Sequence, residues 1–531
     1  MVSQKHVVVA ARGGGIVFVG KLFAWGTRFA LAVLLARILK ADEYGLYNLA
    51  LTVATVAASF PTLGLDAAIV RYTAVFASRK DHGSVLGTLQ LGIGVPAVLS
   101  VIAAIGVMLA SGPIATDLMH EPGLAPLLVI VSLMIPATVL NRQLAATLQG
   151  FKRIEYSVLA EQFSQPMVRL VILLVFALLG LTAAHAIVAS TVAALVVTVM
   201  LLVLVHRVFP LRGVVRETKR HPRELLRFSL PVFFSNVVTT LGHNMQTIFL
   251  GVLGTASQVG IFSVATHLNL IGSVFQSSVV SASMPLFAES QDRGDRRTLE
   301  HLYQVTSKWS LALNLPFFLM VLAFPQALLA IFGSEFNEGA AALVVLAWAN
   351  LINAATGTSG AVLDMTGHTR VKLLNSTVAI GLAIGLNFLL IPVFGLVGAA
   401  FAALASQGAV NLLRLAEVGI MERVSPYNRT FLKPIAAGLA AYAASLLAGY
   451  LAQGAGPIVQ VVAGLGALFL TYGLVLVRLG LDDEDRLVLD RVKGRLLRRN
   501  RHRKGGDGAA GLAVSPDEST LLKAEHARGQ R

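Results

Sequence analysis

The sequence contains no cysteine, which excludes disulfides, thiol catalysis and cysteine-bound metals and leaves the redox compartment undetermined. Charge is also scarce, because only 13% of the 531 residues are charged, against about 25% in a soluble globular protein. Hydrophobic residues instead make up 55% of the chain and come in long blocks. A membrane-spanning helix needs about 20 consecutive, mostly apolar residues, so the sequence indicates a polytopic helical membrane protein.

Other signals are missing as well. The first apolar segment is too long for the core of a cleavable signal peptide, and no small-residue cleavage site follows it. The alternating ten-residue segments of an outer-membrane barrel are absent. Residues 15–21 match the Gly-x4-Gly-Lys part of a phosphate-binding loop. However, Leu22 occupies the position of the Ser or Thr that must bind magnesium, and no strand precedes the motif. With no Gly-x-Ser-x-Gly elbow or His-Glu-x-x-His zinc helix either, we expect a transporter and not an enzyme, without cofactor or metal.

The apolar blocks divide the chain into fourteen predicted spans. They lie at about 14–37, 46–76, 86–110, 126–149, 156–180, 183–205, 228–253, 258–283, 309–332, 340–364, 372–393, 396–418, 431–452 and 457–479. The fold class is therefore all-α. We expect an N-lobe of six spans (1–205), a basic cytoplasmic linker (206–227), a C-lobe of six spans (228–418), two further spans (431–479) and a basic, largely disordered cytoplasmic tail (480–531).

An internal repeat supports two related lobes. Tyr44-Gly-Leu-Tyr-x-x-Ala50 matches Val259-Gly-Ile-Phe-x-x-Ala265, and Gly180-Leu181 matches Gly395-Leu396 at the same offset. Because each copy has an even number of spans, the two copies share one orientation in the membrane. They are expected to be related by an axis along the membrane normal, with a substrate cavity between them.

The net charge of +15 predicts topology. Most of the 43 Lys and Arg residues fall in alternate loops and in the tail, while the opposite loops at 111–125 and 333–339 contain acids and no Lys or Arg. This asymmetry places both termini in the cytoplasm. It also accounts for the basic charge without nucleic acid, which is not expected as a partner.

A few charged residues lie inside the predicted spans. The cations are Lys21, Arg28, Arg37, Arg71, Arg142 and Arg169, and the acids among them are Asp66 and Glu161. Arg37 is near a span end and is expected to reach the interface, but charge deeper in a bilayer is costly and marks function. Two interpretations stay open. One is a structural network in which Asp66 pairs with Lys21, and Glu161 pairs with Arg142 or Arg169. The other is a water-filled cationic cavity, open to the cytoplasm, that attracts an anionic substrate.

The C-lobe has almost no deep charge by comparison. At the repeat offset, Asn236 corresponds to Lys21 and His243 to Arg28. Polar side chains of this kind suit hydrogen bonds to sugar hydroxyls, although ordinary bonds between membrane helices are the alternative for each. Asn236 and His243 join the five cations Lys21, Arg28, Arg71, Arg142 and Arg169 as candidate cavity residues. Asp66 and Glu161 are candidates for coupling to a proton or sodium gradient, with Asp66 favoured.

Several landmarks resemble the multidrug/oligosaccharidyl-lipid/polysaccharide flippase superfamily. The junction LIPVFGLVGAA at 390–400 is similar to one of its motifs. So are the helix starts EYGLY at 43–47 and VGIF at 259–262, and the segment FGSEF at 332–336. The stretch GLDAAIVRY at 64–72 resembles its polysaccharide-transporter branch.

The resemblance implies a two-lobed, fourteen-helix fold with alternating access in the cytoplasmic membrane. It implies export of a polyprenyl-diphosphate-linked oligosaccharide for polysaccharide, lipopolysaccharide or exopolysaccharide biosynthesis. Membrane lipids and polysaccharide polymerase or assembly proteins are the expected partners. A lipid II flippase and a multidrug antiporter of the same superfamily are the alternatives, although cationic drugs favour an anionic cavity. A membrane glycosyltransferase is disfavoured because the loops are short.

Overall fold

The computed structural model describes residues 4–209, 218–480, 482 and 484–486. Part of the predicted basic linker (210–217) and nearly all of the predicted tail lie outside these residues. The chain forms two compact units, which divide between Gly473 and Leu474. The first unit contains all but the last residues of the helical bundle. In the second unit, the backbone N–H of Asp482 donates to the Asp485 carboxylate at 3.2 Å.

The described ranges contain helices and turns and no strand. The α-helices are α1 (Gln4–Ser59), α2 (Leu65–Ser78), α3 (His82–Leu109), α4 (Ser111–Pro113), α5 (Leu124–Ser132), α6 (Met134–Gly150), α7 (Ile154–Val158), α8 (Gln165–Leu179), α9 (Ala183–Val208), α10 (Pro222–Leu253), α11 (Ala256–Asp292), α12 (Arg296–Ala323), α13 (Pro325–Ala330), α14 (Ala340–Ala355), α15 (Ser359–Met365), α16 (Thr369–Met421), α17 (Leu432–Leu451) and α18 (Pro457–Arg478). Short π-helical segments occupy Ile114–Leu118 and Leu159–Ser164, and a 3₁₀ segment occupies Ser334–Gly339.

The number of spans agrees with the sequence prediction. Eleven helices are long and apolar enough to cross a membrane. One of them, Leu374–Met421, turns at Gly395 and therefore contains two spans. The helix α1 is not among the eleven, but its backbone leaves the helical conformation at Lys40 (φ 60°, ψ −177°), so its two limbs coincide with the first predicted span and the start of the second. Each of the fourteen predicted spans thus has a helical counterpart in the described part of the chain, and the all-α polytopic fold is confirmed.

The predicted span 46–76 is not continuous. It is interrupted at residues 60–64, between α1 and α2. Pro61 removes a backbone donor, and both Leu63 (φ 46°) and Gly64 (φ 65°) adopt left-handed backbone conformations. The sequence pattern hid this break because most of the flanking residues are apolar. A second interruption, at Gly357 (φ 71°), separates α14 from α15. Helix termini inside a bundle present unpaired backbone groups, which is typical of transporter binding regions.

Backbone geometry repeats between the two lobes. Asp81 caps α3 with φ −85° and ψ 81°, and Asp295 caps α12 with φ −86° and ψ 81°. Each carboxylate accepts a bond of 3.1 Å from the backbone N–H three residues later. Gly180 and Gly395, which match at the repeat offset, both have positive φ. These equivalences support two lobes in parallel orientation, while the lobe boundaries drawn from the sequence stay predictions.

The first unit has two ends, the kink face and the linker face. The kink face carries Lys40, the start of α11 and the segments that precede α5 and α14. The linker face is the opposite end, where the backbone N–H of Lys219 donates to the Gly83 carbonyl at 3.2 Å. The charge distribution predicts that the kink face is extracytoplasmic.

Candidate functional site: a ladder of charge in the N-lobe

Arg28 lies in the middle of the first limb of α1, about 18 Å along the helix from the Lys40 kink at 1.5 Å per residue. Its side chain is exposed. In the middle of a span, an exposed guanidinium must face either lipid or a water-filled cleft, and lipid is strongly disfavoured. Arg28 interacts electrostatically with Arg169 and Glu161. Arg28 therefore belongs to a cluster that draws on α1, α8 and the π-helical segment between α7 and α8.

Glu161 lies in that π-helical segment, Leu159–Ser164. A π-bulge shifts the register of a helix and is frequent at functional sites. The Glu161 carboxylate is within electrostatic reach of both Arg28 and Arg142. In the described part of the chain it forms no hydrogen bond or ion pair of its own. It is thus a half-buried acid that two arginines share.

Arg142 completes the lower part of the cluster. Its Nε lies 2.7 Å from Oδ2 of Asp66, and the two side chains are 44% and 17% exposed. Asp66 is in the first turn of α2, directly after the interruption, where the positive end of the helix dipole also favours a carboxylate. The other oxygen of Asp66 is buried without a hydrogen-bond partner. The ion pair that the structure describes for Asp66 is with Arg142. The pairing of Asp66 with Lys21 stays a prediction, because the Lys21 side chain lies outside the described part of the structure.

Arg169 forms the upper end of the cluster, towards the kink face. Its guanidinium donates to the hydroxyl of Tyr47 and lies 5.5 Å from the centre of that ring. Tyr47 in turn stacks on Tyr44. His267 of α11 interacts electrostatically with Arg169. The C-lobe therefore also contributes a side chain to this end of the cluster. The Nδ1 of His267 is 2.6 Å from the Ser263 carbonyl, so its Nε2 remains for another partner.

The charged groups therefore follow one path through the N-lobe. The order is Arg169, Arg28, Glu161, Arg142 and Asp66. Three guanidinium groups face two carboxylates, so the ladder keeps a positive excess even when both acids are ionised. Such an arrangement can bind an anion that competes with Glu161 for Arg28 and Arg142.

The described contacts do not connect Arg71, Asn236 or His243 to this ladder. Arg71 lies over Phe228 of α10, 4.7 Å from its ring centre, and its side chain is exposed. Asn236 and His243 lie on α10, where Asn236 is half-buried and His243 is exposed. The backbone of Lys21 is part of α1, but its side chain lies outside the described part of the structure.

Sequence reasoning overlooked two groups. Tyr47 and His267 were not selected from the sequence, because neither is a charged residue inside a span. They are identified only by their interactions with Arg169 in the structure. The C-lobe also contains an ionic cluster near the linker face. There Lys372 pairs with Asp364 at 2.8 Å, and Asn375 donates to Glu417 at 2.6 Å. The described residues include no group of His, Asp and Glu side chains that could hold a metal ion.

Comparisons with known proteins agree with this architecture. A family model described as "Polysaccharide biosynthesis protein" matches residues 10–291, and the MatE model matches residues 231–389. The chain is 26% identical over 193 residues to the probable low-salt glycan biosynthesis flippase of Haloferax volcanii, a match that spans 36% of this chain and 41% of that relative. It is 24% identical to the stage V sporulation protein B of Bacillus subtilis, over 88% of this chain and 95% of that relative.

Solved structures share the fold. The lipid II flippase MurJ in an inward closed conformation has a TM-score of 0.67 and 12% identity, and covers 88% of this chain. An inward-facing multidrug resistance transporter of the MOP superfamily has a TM-score of 0.61 and 15% identity, and covers 76% of this chain. The polysaccharide biosynthesis model matches just over half of the chain, across the whole N-lobe and into α11. The chain therefore belongs to the polysaccharide biosynthesis protein family.

Proposed function

We propose that this membrane protein is an alternating-access flippase. Its substrate is a polyprenyl-diphosphate-linked oligosaccharide, which it moves from the inner to the outer leaflet of the cytoplasmic membrane for polysaccharide biosynthesis. The observation that carries the proposal is the ladder from Arg169 to Asp66, with its positive excess and its exposed Arg28. The similarity to the glycan biosynthesis flippase of Haloferax volcanii and to the lipid II flippase MurJ supports the same class of substrate.

The chemistry of such a substrate fits the ladder. A polyprenyl tail can stay in hydrocarbon throughout, whereas a diphosphate and several sugars cannot cross it unaided. Arg28 and Arg169 supply planar donors that match phosphate oxygens in pairs, and they offset the cost of removing water from the diphosphate. Neutral polar residues on the opposite lobe, including Asn236, His243 and His267, are suited to sugar hydroxyls.

The orientation forms part of the proposal. The basic residues cluster at the linker face and in the tail, so both termini lie in the cytoplasm and the kink face lies outside. The substrate then enters from the linker face. Membrane lipids surround the spans, and polysaccharide polymerase or assembly proteins receive the exported product.

Transport needs an energy source, and no bound cofactor is proposed. A proton or sodium gradient remains the candidate, with Asp66 and Glu161 as the coupling groups. The structure gives Asp66 a direct arginine partner, whereas Glu161 shares Arg28 and Arg142 with any bound anion. A diphosphate that takes over both Arg28 and Arg142 leaves Glu161 without its counter-charges and favours its protonation. Glu161 is therefore the better coupling candidate, although the sequence alone had favoured Asp66.

Reconstitution tests the proposal directly. A fluorescent, short-chain polyprenyl diphosphate sugar is incorporated in liposomes with the purified protein, proton and sodium gradients are imposed across the membrane, and movement of the sugar between leaflets is followed by quenching from outside. Arg28→Ala is expected to lower the rate at least tenfold. Arg28→Lys keeps the charge but loses the two-pronged geometry, so partial recovery indicates an electrostatic role and no recovery indicates bidentate binding.

A matched control separates these results from general damage. Arg293→Ala removes an arginine that is exposed on the linker face and pairs with Glu289 at 2.5 Å, away from the ladder, so it should leave the rate unchanged. Equal rates for Arg28→Ala and Arg293→Ala would refute the role of the ladder. Lipid II supplied in the same assay decides the main alternative, because faster movement of lipid II assigns the protein to peptidoglycan.

A further inference from the structure

Two glycines bring the lobes into backbone contact at the kink face. A Cβ atom on Gly45 would overlap the carbonyl oxygen of Ala256, and one on Gly260 would overlap the carbonyl oxygen of Ala41. Gly45 and Gly260 match at the repeat offset, as do Ala41 and Ala256. The contact is therefore reciprocal, as expected where a pseudo-two-fold axis passes between the second limb of α1 and α11.

Two carboxylates cross the same interface, again reciprocally. Glu335, in the segment before α14 of the C-lobe, accepts from the backbone N–H of Ala41 at 3.1 Å. Glu121, in the segment before α5 of the N-lobe, accepts from the backbone N–H of Ala256 at 2.8 Å. Ala41 and Ala256 are the first helical residues after the Lys40 kink and the Thr255 cap, so each N–H has no partner inside its own helix. Each lobe thus caps a helix of the other.

We propose that Glu121 and Glu335 are paired latches of a gate at the kink face, which hold the two lobes together there while the charge ladder is open to the linker face. The latches are made and broken together with the Gly45 and Gly260 contact. Their strength comes from two favourable terms, a charge-assisted hydrogen bond and the positive end of a helix dipole. The inference concerns the movement of the lobes and does not depend on which substrate is carried.

Other cross-lobe contacts surround the latches. Arg37, expected from the sequence to reach the membrane interface, donates from Nε to the Ile331 carbonyl at 2.7 Å. Tyr44 packs edge-on against Phe336, with ring centres 6.2 Å apart. Both rings are almost completely buried. Tyr44 also stacks on Tyr47, the partner of Arg169, so the gate is continuous with the upper end of the ladder.

The chain offers a matched control for the latches. Glu43 accepts from the backbone N–H of Ala183 at 2.9 Å, which is the same kind of bond at a helix start on the same face. It joins two helices of one lobe, however, so its loss does not free the lobes from each other. Glu43→Ala should remove the hydrogen bond that caps α9 without affecting the gate.

Distance measurement between the lobes tests the proposal. Spin labels are placed on Asp117→Cys in the N-lobe and Glu338→Cys in the C-lobe, both exposed on the kink face, in a chain with no other cysteine. Distances are read by pulsed electron resonance in lipid nanodiscs. Glu121→Ala and Glu335→Ala should each raise the ratio of long-distance to short-distance populations by roughly tenfold. The double variant should raise this ratio further. Glu43→Ala should give the parent distribution.

A second perturbation keeps the proposal open to refutation if the acid variants fold poorly. Gly45→Ala pushes the same interface apart through its Cβ and should lengthen the distances, whereas Gly26→Ala, whose Cβ meets nothing within 4 Å, should not. If Gly45→Ala opens the gate while the Glu121→Ala, Glu335→Ala double variant keeps the parent distances, packing alone closes this face and the latches are wrong. A shift in Glu43→Ala equal to that of the double variant would overturn the proposal as well.

Discussion

Removing one member of the Asp66–Arg142 ion pair is expected to destabilise the protein more than removing both. Arg142→Gln leaves Asp66 in place, with one oxygen already buried and unpartnered, so the carboxylate loses its only described counter-ion. Breaking a fully buried pair costs about 3–5 kcal/mol, and a surface pair contributes about 0–1 kcal/mol. Because the Arg142 side chain is 44% exposed and that of Asp66 only 17%, we expect a loss of about 2 kcal/mol in the free energy of unfolding.

The reverse substitution should cost less. Asp66→Asn leaves the more exposed Arg142, which water can solvate, so the expected loss is about 1 kcal/mol. The double variant Asp66→Asn, Arg142→Gln removes both charges and keeps polar groups of similar size, so it should recover most of the stability. The coupling energy of this cycle is therefore expected to be about 1 kcal/mol or more.

Unfolding in mixed detergent micelles, followed by titration with sodium dodecyl sulfate, measures the four free energies of the cycle. Substrate flipping by the same four proteins separates two roles of Arg142. A purely structural arginine predicts that flipping recovers together with stability in the double variant, whereas a substrate-binding one predicts stable protein with slow flipping. Strictly additive free energies, with no coupling, would refute the claim that Asp66 and Arg142 act as a pair.

Further predictions concern topology, energy and pH. Cysteines introduced at the kink face should react with an impermeant thiol reagent from outside, and one at Gly294 should not; the outside positions are Asp117, Ser334 and Gly454. Flipping should stop when the proton, sodium and electrical gradients are all collapsed, and persistence at the full rate would identify a facilitator. Hydrogen bonds from the backbone and side chain of Ser84 lower the pKa of Asp81 below its ordinary value of 3.8. Its contribution to stability is thus present above pH 3.8 and lost as the pH falls through the lowered pKa. Asp81→Asn should make the thermal midpoint less sensitive to acid in that range, and an unchanged profile would show that the cap does not titrate with folding.

Composition and apolar runs were sufficient to predict the fold class and the spans, because lipid demands long helices of nearly uniform apolarity. The same uniformity hid the interruption at residues 60–64, although Pro61 and Gly64 were visible in the sequence. The repeat identified Gly45 and Gly260 as equivalent residues. That the two glycines lie at one interface follows only from packing, since equal positions in two copies need not touch.

The candidate site was partly predictable for a similar reason. A charged residue inside an apolar span is unusual whatever the orientation of its side chain. Arg28, Arg169 and Glu161 could therefore be selected from the sequence. The pairing of Asp66 with Arg142 could not be predicted, because the two residues are 76 positions apart and their contact depends on how α2 packs against α6. His267 gave no such signal, since a lone histidine on a helix is unremarkable until Arg169 is found beside it.

The central claim is that the cavity selects negative charge in the headgroup, and a comparison of substrates tests it most directly. Wild-type protein in liposomes is given three fluorescent polyprenyl sugars that differ only in the linkage, which is a diphosphate, a monophosphate or an uncharged ether. The ladder of Arg169, Arg28 and Arg142 predicts flipping rates that fall in that order, with the diphosphate at least tenfold faster than the ether. An ether-linked sugar that flips as fast as the diphosphate would contradict the account.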